Sequence, residues 1–113
     1  MHTPKFTPAA IENIKRLPKN VKARLKAAIM DDLVADPEGS SKTLTGVLSE
    51  FPSFHWRDYR VVFKLDDDLK ALAIVAVAKK TRNPDRNLYR RLETAVENGE
   101  LAAKVLETLK GFR

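Results

Sequence analysis

Residues 54–63 read FHWRDYRVVF, a short stretch that holds His55, Arg57, Arg60 and three kinds of aromatic ring. A second reactive stretch follows at 79–91, KKTRNPDRNLYRR, where six basic groups stand against Asp85 alone. Basic groups at this density bind anions, and an imidazole among them adds a group that can exchange a proton near neutral pH. The remaining charge is just as uneven. Residues 1–29 carry seven Lys or Arg, Lys22 and Lys26 among them, against Glu12. Residues 30–50 carry five carboxylates against Lys42. Two basic blocks therefore flank a sheet region that is close to neutral, the footprint of a polyanion binder. The plain alternative is a set of solvated helix faces that aid solubility.

Several chemistries are excluded. Cys is absent, so there is no disulfide, thiolate nucleophile or cysteine zinc site. With only His2 and His55, a His-rich metal site is not expected. No apolar run approaches a membrane span and the N-terminus lacks a signal-peptide core, so a soluble, cytoplasmic protein is expected. The 113 residues fit one domain, and the 43% hydrophobic content is enough for a packed core.

The elements that must position these groups follow from periodicity. In FTPAAIENIKRLP, Thr7 is an N-cap and Pro8 the first helical position, with Ile11, Ile14 and Leu17 on one side. Pro18 ends this helix. Val21, Leu25, Ala28, Ile29 and Leu33 then predict a second helix, stopped by Asp36-Pro37 and Gly39. The two helices form a hairpin. From Lys42 the period changes, and TLTGVLSEF, SFHW, YRVVFKL and KALAIVAVAKK read as strands, with LDDDLK as the turn before the last. ALAIVAVA is almost wholly apolar and predicts a central strand buried on both faces. Asn83-Pro84 predicts the start of another helix, Asn98-Gly99 breaks it, and ELAAKVLETLKGF predicts a final one. The fold class is α+β: an N-terminal helical hairpin packed on a small, mostly meandering antiparallel sheet, followed by one or two C-terminal helices.

If Arg57-Asp58 is a two-residue turn, Trp56 opposes Tyr59, His55 opposes Arg60, Phe54 opposes Val61 and Ser53 opposes Val62. Alternation then turns Phe54, Trp56, Tyr59, Val61 and Phe63 toward the helices. His55, Arg60, Ser53, Val62 and Lys64 face the other, open side. Arg57 is a costly first turn residue, because tight hairpin turns favour Gly, Asn or Asp there. A longer loop or a slipped register would part His55 from Arg60.

Taken together, FTPAAIENIKRLP, the basic second helix, the DP-G stop, K-x-L-x-G at Lys42 to Gly46, DYRVVF, and AIVAVAKKTR followed by a Tyr resemble the RelE/ParE superfamily of bacterial toxins. The resemblance covers roughly residues 5–91. It implies the toxin of a type II toxin–antitoxin system, acting as one toxin domain over 1–113 with a C-terminal helical extension from about residue 99. RelE-like members cut mRNA on the ribosome and are held inactive by an antitoxin. ParE-like members share the fold and poison DNA gyrase. A catalytically degenerate binding protein is a further alternative.

The RelE-type reaction is attack of a ribose 2′-OH on the adjacent phosphate, which requires no metal or cofactor. Under the resemblance Arg60 binds the scissile phosphate, Lys80 or Lys79 follows the last strand with Arg82 close by, and Tyr89 orients the nucleotide. His55 stands where relatives often carry Lys or Arg, and its imidazole is a candidate general base. Lys79, Arg86, Arg90, Arg91, Lys22 and Lys26 are candidate RNA contacts. The implied partners are a cognate antitoxin, with ribosome and mRNA in one case or gyrase in the other; a homodimer is open. Two departures stand out: the insertion TRNPDRN before Tyr89, and Pro4, which interrupts the family's N-terminal strand. Each residue also has a plain alternative. Arg60 pairs with Asp58, Lys79 and Lys80 blunt a strand edge, Tyr89 packs near Leu92, and Trp56 is a core or cross-strand partner of Tyr59.

Overall fold

The computed structural model describes residues 2–44, 46–79 and 88–110. Strand β1 (Thr3–Phe6) leads into α1 (Pro8–Lys15), and α2 (Lys19–Ala28) follows. Strands β2 (Ser41–Lys42), β3 (Ser53–Trp56), β4 (Tyr59–Asp66) and β5 (Ala71–Lys79) come next, then helices α3 (Leu88–Glu97) and α4 (Glu100–Lys110). The strands form one sheet in the order β1-β5-β4-β3-β2. From β2 to β5 it is an antiparallel meander, and β1 adds parallel to β5 at the far edge.

Thr7 starts α1 as expected: its Oγ1 accepts from the Ala10 amide at 3.2 Å, and Pro8 follows at the first turn. Helix α2 begins after Pro18 and widens into a π turn at Ile29–Leu33, where the Val34 amide reaches back to the Ile29 carbonyl at 2.8 Å. Leu25, Ala28, Ile29 and Leu33 bury against Phe54, Val61, Phe63, Leu72 and Ile74. Phe63 is fully buried at the middle of this layer. Strand β5 lies between β1 and β4 and is buried from Ala71 to Val77, the central strand its composition predicts.

Three expectations are corrected. Pro4 does not prevent the N-terminal strand. The Thr3 and Thr7 amides donate toward β5, so alternation turns the Pro4 nitrogen to the open edge, where no donor is needed. Among its described residues TLTGVLSEF forms no strand: Ser41–Lys42, just before it, pairs with β3, and Gly46–Leu48 forms a 3₁₀ turn. Gly46 holds a φ of +65°, which breaks the extended run. Lastly, the sheet's second face is not open along its length. Ser53 and Val62 are fully buried, and Val62 packs in a layer with Leu48, Phe51, Leu92, Leu101 and Val105. The alanines of β5 on this face, Ala71, Ala73 and Ala76, let α3 and α4 approach closely.

A bulge between β4 and β5 explains how one strand serves both layers. The register shifts after Val62, so Val75 and Ala76 both join the second layer while Ile74 and Val77 join the first. Beyond the end of β1, the edge of β5 is closed by α1. Thr7 Oγ1 donates to the Val75 carbonyl at 2.9 Å, and Asn13 Oδ1 accepts from the Val77 amide at 3.0 Å. The predicted helix start at Asn83-Pro84 lies outside the described residues; the break at Asn98-Gly99 is present, with Gly99 at φ +78°.

Candidate functional site

The hairpin of β3 and β4 sets the site. Its turn is Arg57-Asp58, and the pairs are Trp56 with Tyr59, His55 with Arg60, Phe54 with Val61 and Ser53 with Val62, the register the two-residue turn predicts. Arg57 alone in this turn has a left-handed φ, +54°. That is the φ pattern of a type II′ turn, which favours glycine at its first position. The sterically costly turn is therefore real, and it keeps His55 beside Arg60.

His55 and Arg60 share one face with Ala78, which pairs with Arg60 from β5. The three stand at the end of the face, beyond the layer that buries Val62. Arg60 is half-buried, and its Nη1 donates to the carbonyl oxygens of Tyr59 at 2.9 Å and Arg57 at 3.1 Å. Among the described residues no carboxylate pairs with it, so the expected alternative of an ion pair with Asp58 is not formed. A guanidinium has five donors, and two carbonyl bonds from one nitrogen leave the fork able to take an oxyanion. His55 is half-buried with its Nε2 enclosed.

The other sequence candidates divide by position. Lys79 ends β5 opposite Tyr59 and is exposed. It thus reaches the hairpin tip from the neighbouring strand, on the face opposite His55 and Arg60. Lys80, Arg82 and Arg86 lie outside the described residues. Tyr89 and Arg90 stand in the first turn of α3, and Arg91, also on α3, is exposed. Lys22 and Lys26 are not near the pair. They rim a groove of about 240 Å³ with Phe6, Ile11, Ile14 and Lys15, on the layer where α1 and α2 cover the sheet. Lys64 leans over the Phe51 ring at 5.5 Å.

One contact was not foreseen. The Arg57 guanidinium lies over the Trp56 ring, 4.7 Å from its centroid, and the Trp56 and Tyr59 rings stand 6.0 Å apart at 33°. Alternation and turn chemistry mark Arg57 as a turn residue only. The available signal was an arginine where the turn wants glycine, next to the one tryptophan of the chain. Among the described residues no group of His, Asp or Glu is placed to hold a metal ion, and no helix is long and apolar enough to cross a membrane.

Solved structures share this architecture. A chain of the toxin–antitoxin complex RelBE2 from Mycobacterium tuberculosis is 25% identical, with a TM-score of 0.66, over 70% of this chain and 98% of its own. The isolated RelE toxin of E. coli superimposes with a TM-score of 0.61 at 19% identity, over 85% of this chain and 99% of its own. The E. coli RelBE toxin–antitoxin complex matches at 0.59 and 19%, over 73% of this chain and all of its own. A search of curated protein sequences finds no match. The family model described as the ParE toxin of the type II toxin–antitoxin system parDE matches residues 5–84, from β1 past the end of β5. With most of its length inside that match, the chain belongs to the ParE toxin family of type II toxin–antitoxin systems, within the RelE/ParE superfamily.

Proposed function

We propose that this toxin is a metal-independent endoribonuclease that cuts mRNA on the ribosome and is neutralised by a cognate antitoxin. The observation that carries the reading is the cross-strand pair of His55 and Arg60, with no carboxylate among the described residues to neutralise Arg60. The reaction begins with attack of a ribose 2′ oxygen on the adjacent phosphorus, and the 5′ oxygen leaves. The 2′ hydroxyl gives up a proton and the leaving oxygen takes one. Arg60 stabilises the negative charge that builds on the phosphorane oxygens, His55 takes the proton of the 2′ hydroxyl, and solvent water supplies the one that the leaving 5′ oxygen takes. Lys80, Arg82 and Tyr89 are assigned to the same reaction from their place after β5. Chains that share this fold come from RelBE toxin–antitoxin complexes, which supports an antitoxin as partner.

The test is to express the toxin and map transcript 5′ ends during growth arrest. New ends within translated mRNA are expected, and they are expected to disappear in Arg60→Ala. A second reading, inhibition of DNA gyrase by binding alone, is favoured by the ParE description of the matching family model. It predicts loss of gyrase supercoiling activity in the presence of the purified toxin and no transcript cleavage.

A further inference from the structure

We propose that the tip of the β3–β4 hairpin is a base-stacking platform for single-stranded RNA, built from Arg57 laid on Trp56 with Tyr59 and Lys79 beside them. The proposal deepens the reading of this toxin as RNA-acting and rests on it. Trp56 and Tyr59 form the last rung before the turn, and both are half-buried. The Arg57 guanidinium covers the Trp56 ring at 4.7 Å. Lys79 is exposed opposite Tyr59, and among the described residues no carboxylate pairs with Arg57 or Lys79. Flat rings and guanidinium planes are surfaces on which unpaired nucleobases stack, and a neighbouring lysine supplies the counter-charge for the backbone.

The backbone points the same way. Arg57 holds φ +54° at a turn position that favours glycine. Its side chain has no carboxylate partner among the described residues to offset that strain. Strain kept at an exposed residue is a sign of function, argued from the observed outlier. The platform is also joined to the proposed cleavage site. Arg60 reaches from the other face to the Arg57 carbonyl at 3.1 Å, so a strand crossing the tip can lay a phosphate at Arg60 and an adjacent base on Arg57.

Trp56 is the only tryptophan in the chain, so its emission reports on this place alone. The probe is a short single-stranded RNA, fully 2′-O-methylated so that it cannot be cut by 2′-OH attack. The toxin is titrated with it while Trp56 emission and RNA anisotropy are followed. Saturable change in emission is expected, with affinity falling as salt rises. Arg57→Gly and Trp56→Leu are each expected to weaken binding about tenfold, with the fold checked by circular dichroism. Arg57→Gly suits the turn, so its result stands even if Trp56→Leu unfolds. RNA that binds without altering Trp56 emission, and equally well in Arg57→Gly, overturns the platform and leaves the endoribonuclease reading intact. Absence of binding at low salt overturns it also. Stacking at Trp56 by a toxin that cuts no translated mRNA keeps the platform and removes the endoribonuclease. Equal binding of the matching single-stranded DNA overturns the assignment to RNA.

Discussion

Arg60 Nη1 and the carbonyl oxygen of Arg57 meet at 3.1 Å across the hairpin tip. The arginine proposed to hold the phosphate is therefore positioned by the turn, not by a carboxylate. Arg60→Ala is expected to abolish growth inhibition, with a loss of cleavage of about a hundredfold or more. Arg60→Lys keeps the charge but lacks the fork that serves carbonyls and phosphate together, so it is expected to recover only part of the activity. Transcript cleavage at matched protein levels checks both.

Arg57→Gly tests the turn itself. Relief of the left-handed strain is expected to raise stability by about 1 kcal/mol, after the greater freedom of glycine in the unfolded chain is counted. Urea denaturation measures it. A destabilised variant would mean that the arginine stack on Trp56 outweighs the strain.

Thr7 and Asn13 close the edge of β5 where β1 ends. Thr7→Ala removes both the cap on α1 and the bond to the Val75 carbonyl, and is expected to cost about 2 kcal/mol. Asn13→Leu leaves the Val77 amide without its acceptor and is expected to cost about 1–3 kcal/mol. Thr7→Ser is expected to retain most of the stability. Chemical denaturation of the three variants separates them.

Leu101 belongs to the layer that α3 and α4 place over the alanines of β5. Leu101→Ala is expected to cost about 2 kcal/mol or more, with increased binding of a hydrophobic dye. Unchanged thermal stability would show that α4 contributes little to the core.

The hairpin was legible in the sequence because alternation and a two-residue turn fix every face at once. Phe54, Trp56, Val61 and Phe63 pack where that register puts them, and His55 meets Arg60. The central strand was legible from its apolar run. TLTGVLSEF misled because loose alternation does not reveal a glycine at positive φ. Pro4 misled in the opposite sense, since an edge strand needs only every second amide. The covering of Val62 was hidden for another reason. It depends on distant residues of α3 and α4, and on a bulge that moves both Val75 and Ala76 to one side. Candidate cations were legible as a group, but their grouping in space was not. Lys22, Lys26 and Lys79 belong to the sheet face that α1 and α2 cover, whereas Arg60 stands on the other.

Cleavage of mRNA by this toxin is expected to depend on Arg60. Purified toxin and its Arg60→Ala variant are added to a translating ribosome system programmed with a defined mRNA, and 5′ ends are read by primer extension. Cuts within the translated region by the wild-type protein, absent with Arg60→Ala, are the predicted result. Intact mRNA with translation arrested, or cleavage unchanged in Arg60→Ala, would contradict it.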